Sequence, residues 1–423
     1  MPPIDVQRRR DQVLNRECFC ITLDSQGLQA AIRAQLPAET GSESLVTNHP
    51  HLFAQAPVFL AREDLEAMLD VVGAIEAAAA TSAYQDAVLT WAPAIAREDF
   101  GPRGAFMGYD FHLTDDGPKL IEVNTNAGGA FLNALLARAQ TACCEEARVA
   151  ARSAQSEEFE PAVWRMFMSE WESQRGPLPL RSVAIVDDRP EEQYLFPEFL
   201  LAQRFFERQG LRALIADPGE LSLADGRLLC RGEPVDLVYN RLVDFSFGAP
   251  GHQVVHDAYR SGAVVLTPSP RNHALFGDKR NLTLLSDGVA ASALGLTLKQ
   301  QQSLSAIPRT VSVTAANVDE LWSARKRYFF KPAGGHGGKA VYRGDKMTRS
   351  VWEQVQQGDY IAQELATPSQ RRIRIDGEIK ALKLDVRLYT FKGSPLLTAS
   401  RVYQGQTTNF RTAGGGFAPV FVT

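Results

Sequence analysis

The stretch Phe329-Phe330-Lys331-Pro332-Ala333-Gly334-Gly335-His336-Gly337-Gly338-Lys339 decides how the rest of the chain is read. An apolar run delivers a lysine, and four glycines follow within five positions. Glycine lets a backbone approach phosphate oxygens and turn its N–H groups inward. An adjacent ammonium adds a point charge for the same oxygens. The spacing is not that of a Walker A loop, because GxxxxGK[ST] is absent. An ordinary glycine hairpin carries the same residues, so the loop alone does not settle the matter.

The complementary signal lies far toward the N-terminus. Gly108-Tyr109-Asp110 leads to a turn at Thr114-Asp115-Asp116-Gly117 and then to Leu120-Ile121-Glu122-Val123-Asn124. The pattern predicts strand, turn, strand over 104–126. Positions 122 and 124 share one face of a strand, and Asp110 falls close across the hairpin. Mg²⁺ is held by one or two carboxylates with phosphate oxygens and water. Asp110, Glu122 and Asn124 are therefore candidate Mg²⁺ ligands, although a solvent-facing acidic hairpin reads the same way.

Further segments add weaker signals. Phe276-Gly277-Asp278-Lys279-Arg280-Asn281-Leu282 presents Lys279, in what also reads as a charged helix start. Tyr360-Ile361-Ala362-Gln363-Glu364-Leu365 is an extended segment able to offer backbone groups to an adenine edge, as would any amphipathic strand. Lys383-Leu384-Asp385-Val386-Arg387 and Thr408-Asn409-Phe410-Arg411-Thr412-Ala413-Gly414-Gly415-Gly416 carry Arg387 and Arg411. Guanidinium groups suit a phosphoryl group in transfer or a substrate carboxylate.

Around these motifs the chain alternates between patterns. Leu65, Met68, Leu69, Val72 and Ile75 recur at helical spacing and predict a helix over 61–81. Residues 130–175 read as largely helical. From Pro177-Leu178-Pro179 onward, Val183-Ala184-Ile185-Val186, a helix across 196–209, Ala213-Leu214-Ile215-Ala216, Leu237-Val238-Tyr239 and Ala263-Val264-Val265-Leu266 predict a parallel α/β unit. Arg241 ends one of its strands in Val238-Tyr239-Asn240-Arg241. Ligands of such sheets gather at the carboxyl ends of strands. Arg241 is thus a candidate for the acid substrate, with Asn126 and Gly128 lining its path and Asn409 a further candidate. An Arg241–Asp244 ion pair is the structural alternative.

Taken together, Lys279, Lys331-Pro332 with its glycines, Gln363-Glu364, Asp385-Val386-Arg387 and Asn409-Phe410-Arg411 resemble the ATP-grasp superfamily, in order and wording its glutathione synthetase-type members. In those the chain continues past the Asn/Arg-Gly segment to a Gly-x-Asp strand and a Glu-x-Asn strand. Here seven residues follow Gly416, and the corresponding pieces stand at the front. The order is similar to circularly permuted families such as eukaryotic glutathione synthetases and glutathionylspermidine synthetase-like proteins. The resemblance covers roughly residues 60–130 and 180–423. It implies that Lys279 and Lys331, with Gly334, Gly335, Gly337 and Gly338, bind phosphates. Gln363, Glu364 and Leu365 would bind adenine, and Asp110, Glu122 and Asn124 would hold Mg²⁺. Arg387, with Lys331 and Arg411, would act at the phosphoryl group. Asn126-Ala127-Gly128-Gly129 and residues 1–60 depart from the pattern, both on the substrate side.

The expected fold is α/β with α+β elements, a circularly permuted ATP-grasp fold with a parallel α/β domain. Its parts would be an N-terminal extension at 1–60, a permuted ATP-grasp segment at 61–176, the α/β domain at 177–273 and nucleotide-binding lobes at 274–423. The implied activity is ATP- and Mg²⁺-dependent carboxylate–amine ligation through an acyl phosphate. A kinase on the same fold or a non-enzymatic nucleotide binder are the alternatives. The 333–338 loop would be a lid that excludes water from the acyl phosphate.

Bulk properties agree. The 423 residues suggest two or three domains. Composition, 45% hydrophobic and 22% charged, is that of a globular protein. A net charge of -4 argues against a general nucleic-acid binder. The N-terminus leads into no apolar segment and no run of 18 apolar residues occurs, so neither secretion nor a membrane span is expected. Five cysteines without a CxxC pair fit a reduced cytoplasm. The expected partners are a small carboxylate and a small amine, with a homodimer common in similar families.

Overall fold

The computed structural model describes residues 9–19, 23–36, 49, 51–140, 158–334, 340–375 and 377–423. Gly335, His336, Gly337, Gly338 and Lys339 of the glycine loop, and Cys20, Cys143 and Cys144, lie outside the described residues.

A seven-stranded sheet carries the metal motif. Its order is Val58–Leu60, Gly416–Val422, Ser394–Tyr403, Glu378–Phe391, Met107–Thr114 and Gly117–Asn124, with Gln370–Ile375 also pairing Glu378–Phe391. The Glu378–Phe391 strand alternates where one face is wet, then becomes continuously buried where both faces are covered. Beside it, antiparallel, lies a strand from the N-terminal third, in a register that sets Arg387 opposite Asp110. Thr114 closes the predicted hairpin, its hydroxyl donating to the Gly117 carbonyl (2.8 Å) and accepting from the Asp116 N–H (3.2 Å).

Val58–Leu60, within the stretch read from sequence as an extension, belongs to this sheet. Val58–Leu60 pairs parallel with Gly416–Val422. The Asn15 side chain copies a strand partner, donating to the Phe59 carbonyl at 2.7 Å and accepting its N–H at 3.0 Å. Arg371, fully buried, donates to the Pro57 carbonyl (2.7 Å) and the Asn15 carbonyl (3.1 Å).

The predicted parallel unit forms a four-stranded sheet in the order Val265–Thr267, Leu237–Asn240, Ser182–Val186, Arg212–Ala216. All three pairings are parallel, and Val186 lies opposite Asn240. Asp187 and Arg241 therefore leave the sheet side by side at its carboxyl end. A second four-stranded sheet, Thr310–Ser312, Tyr360–Glu364, Tyr328–Pro332 and Tyr342–Arg343, carries Lys331 and Gln363. Its Phe330 packs with Leu321, Trp352 and Val355. Among the described residues, no helix is long and apolar enough to cross a membrane.

At the carboxyl end of the parallel sheet His252 is clamped between two loops. Nε2 lies 2.8 Å from Asp188 Oδ1 and Nδ1 lies 2.9 Å from Asp244 Oδ2. Burial alone would lower its pKa, but the two carboxylates raise it above the ordinary 6.5. Protonated, the ring donates to both. Because the folded value is the higher one, this stabilisation is complete below pH 6.5 and disappears as pH rises through the folded value. Calorimetric melting across that window should show a pH-dependent loss that His252→Ala lacks; an identical profile in the variant would remove the clamp from the account.

Candidate functional site

The hairpin places Asp110 directly opposite Glu122 and Gly108 opposite Asn124. Register shifts after Asp110, so Ile121 has no partner on the neighbouring strand. Such a bulge takes a residue out of the ladder. The Ile121 carbonyl instead accepts the Lys331 ammonium at 2.9 Å. Lys331, 8% exposed, donates also to Gln363 Oε1 at 2.6 Å. A π-helical turn at His273–Gly277 precedes Lys279, whose N–H donates to the Ala333 carbonyl at 3.2 Å. That bond ties the Lys279 segment to the base of the glycine loop. Pairing across 210 residues between Lys331 and Ile121 thus brings the two halves of the motif set into one site.

Charges are balanced within it. Burial would raise the Glu122 pKa, yet Lys279 and Lys331 hold it below the ordinary value. Burial lowers Lys331 to about 8, with Glu122 opposing and Lys279 assisting. Asp110 is wholly buried; burial would raise its pKa, but Arg387 and Arg401 hold it down at about 2. Asn124 Nδ2 donates to Glu122 Oε1 (2.9 Å) and Asp110 Oδ2 (3.0 Å).

A cavity of about 330 Å³ opens over this floor, lined by Glu122, Lys331, Gln363, Phe329, Arg401 and Tyr403 among others. Glu364 and Ala366 border it. The N–H groups of Glu364 and Leu365 already donate to the carbonyls of Arg309 and Arg327, both at 2.9 Å. Those two amides are therefore not free for adenine. Among the described residues the Ala366 N–H has no acceptor, and it lies one position beyond the expected segment. His112 Nδ1 is 2.7 Å from the Ala366 carbonyl and fixes this bend. Gln363, 2% exposed, spends its Oε1 on Lys331 and leaves Nε2 without a protein partner.

The donor set fits Mg²⁺ at Glu122 and Asn124, both hard oxygen donors, once the Asn124 amide turns its oxygen to the cation. Among the described residues no cluster of three His, Cys, Asp or Glu could chelate a metal by itself, so phosphate oxygens would complete the shell. The third expected ligand, Asp110, is instead occupied: its two oxygens accept from two arginines and an amide.

Arg241 stands beside this floor. It is 7% exposed, and among the described residues no carboxylate lies within ion-pair distance of it. Its Nη2 is 3.4 Å from the Asn126 carbonyl, and its Nε has no partner. Asn126 returns the contact through Nδ2 to the Arg241 and Leu242 carbonyls, at 2.7 and 3.1 Å. Gly128 permits this approach, since a Cβ there would lie 3.0 Å from Arg241 Nη2. Gly129 (φ 92°) starts the Ala130–Arg138 helix against Phe417. Asp244, the alternative partner, is spent on its own loop, accepting from Ser246, Ala249 and His252. Asp187 sits alongside, raised to about 6 by burial, with Arg241 opposing the rise.

The structure thus brings Asp110, Glu122, Asn124, Lys331 and Arg387 together, and Asn126, Gly128 and Arg241 together. It does not bring in Asn409 or Arg411. Asn409 spends its amide within its loop, on Gln404, Thr407, Arg411 and Thr412, as an Asx turn does. Arg411 is exposed and lines no part of the cavity. Sequence reading missed Arg401, His112, Asp187 and the Ala366 N–H. The signal for Arg401 was its register, opposite Asp385 on the adjacent strand.

No protein-family model and no curated protein matches the chain. Solved structures do. A glutathione synthetase-like effector from Globodera pallida superposes with a TM-score of 0.56 at 12% identity, covering 95% of this chain and 99% of that one. A putative gamma-glutamylcysteine synthetase from Methylobacillus flagellatus gives 0.47 at 11%, covering 84% and 87%. D-alanyl-alanine synthetase A from Vibrio cholerae gives 0.29 at 10%, covering 56% and 90%. The first of these carries the conclusion: this chain has a glutathione synthetase-like fold.

Proposed function

We propose that the protein is an ATP- and Mg²⁺-dependent carboxylate–amine ligase. The observation that carries this reading is the adjacency of two features of opposite use. One is a cavity floored by Glu122, Lys331 and Arg401, with Asn124 bonded to Glu122. The other is Arg241, a buried guanidinium without an ion pair among the described residues. ATP would occupy the first, with Lys279 and Lys331 on its phosphates and the Gln363–Ala366 bend at its base. Mg²⁺, held by Glu122 and Asn124, would offset the phosphate charge. Arg241 would take a carboxylate of the acid substrate, and Asp187 would suit an ammonium on it.

The acid carboxylate attacks the γ-phosphorus and ADP leaves, giving an acyl phosphate. The amine then attacks the acyl carbon, loses a proton and expels phosphate. The protein positions groups and neutralises charge, which is where catalysis of phosphoryl transfer resides. In this reading residues 61–176 and 274–423 form the nucleotide-binding lobes in circularly permuted order, around the parallel unit at 177–273.

Amino acids and small peptides, singly and in pairs, should be screened for ATP-dependent phosphate release. A pair, acid plus amine, is expected to be required. With that acid in hand, Arg241→Ala should raise its KM about tenfold or more while leaving KM for ATP unchanged. Unchanged constants for both would make Arg241 structural.

A further inference from the structure

Asp110 is surrounded differently from Glu122 and Asn124, with which the sequence groups it. Its Oδ1 accepts from Arg387 Nε at 2.6 Å. Its Oδ2 accepts from Arg387 Nη2 and Arg401 Nη2, both at 2.7 Å, and from Asn124 Nδ2 at 3.0 Å. An ionised carboxylate has about four acceptor sites; three guanidinium N–H groups, one on Oδ1 and two on Oδ2, hold Asp110, and the Asn124 amide adds a third donor to Oδ2. Asp110 and Glu122 both border the cavity, but Glu122 accepts from the neutral Asn124 amide and has no arginine on it among the described residues. A cation drawn to Asp110 would compete with two buried guanidiniums for the same carboxylate charge, which is unfavourable.

The arrangement is built into the strands. Register sets Asp110 opposite Arg387 and Asp385 opposite Arg401. Asp385 Oδ1 accepts Arg401 Nε at 2.8 Å, and Thr408 Oγ1 donates to Asp385 Oδ2 at 2.6 Å. The two arginines serve different sides. Arg401 lines the nucleotide cavity. Arg387 lies beside Gly108 and Tyr389, and the Tyr389 hydroxyl donates to the Gly128 carbonyl at 2.7 Å, next to Arg241.

We propose that Asp110 is not a metal ligand but a positioning residue, a buried counter-ion that holds Arg401 at the cavity and Arg387 on the side toward Arg241, where the phosphoryl group passes. Glu122 and Asn124 then supply the protein's share of the cation shell. This inference rests on the reading of the cavity as the MgATP site, and the two are separable by experiment.

Crystals of the full wild-type chain grown with Mn²⁺ and a non-hydrolysable ATP analogue locate the cation by anomalous scattering. Mn²⁺ is expected about 2 Å from the Glu122 carboxylate, with Asp110 still on both arginines. Mn²⁺ at that distance from Asp110 overturns the inference and leaves the ATP reading intact. Nucleotide bound outside the cavity overturns both. In solution, Glu122→Gln should weaken Mn²⁺·ATP binding about tenfold or more. Asp110→Asn should leave it within about threefold while cutting turnover at saturating ATP about tenfold or more. Equal loss of Mn²⁺·ATP affinity in both variants contradicts the assignment.

Discussion

Glu122→Gln is expected to reduce ATP-dependent turnover roughly a hundredfold or more, with the melting temperature little changed. The substitution keeps side-chain volume and the hydrogen bond with Asn124, so the hairpin persists. What it removes is a charge. Glu122 is held ionised by Lys279 and Lys331 despite its burial, and it is the carboxylate of the cavity floor that no arginine occupies. Without it a cation retains one neutral amide and the phosphates, and Lys279 and Lys331 lose the carboxylate charge nearest both. Steady-state ATP consumption with a thermal melt decides the case. Near-normal consumption would mean that the metal set is wrongly assigned.

Lys331→Ala should weaken ATP binding by roughly ten- to a hundredfold, because a buried ammonium leaves the phosphate site and Gln363 Oε1 loses its donor. The wild-type protein carries its own control. With its pKa lowered to about 8 by burial, Lys331 loses its proton as pH rises past that point, and ATP affinity should fall over the same range. The variant should lack that dependence. Lys339→Ala, beyond the glycines, should matter less. Calorimetry that ranks Lys339 above Lys331 would move the phosphate contact to Lys339.

Local chemistry made the hairpin legible. Alternation with period two and the Thr114–Gly117 turn fixed both strands, and the position of Glu122 and Asn124 on one face followed. The parallel unit was legible for a related reason, since strands covered on both faces read as unbroken apolar runs. The strand Val58–Leu60 was not, because three residues show no period and their partner lies at the opposite end of the chain. Asp110 shows the deeper limit. Its residue type and spacing suggested a metal ligand, but its role is set by two arginines, one 277 residues away, and only sheet register brings them there. Asn409 failed in the opposite sense: a polar residue beside an arginine suggested recognition, and the loop uses it for its own turn.

The most direct test of ligation follows oxygen. The acid substrate identified by the screen, labelled with ¹⁸O in its carboxylate, should be turned over with ATP and the amine. Transfer of one carboxylate oxygen to the γ-phosphorus predicts inorganic phosphate carrying a single ¹⁸O and a product amide carrying the other. Unlabelled phosphate, or ADP released with a stable phosphorylated product and no amide, would contradict it.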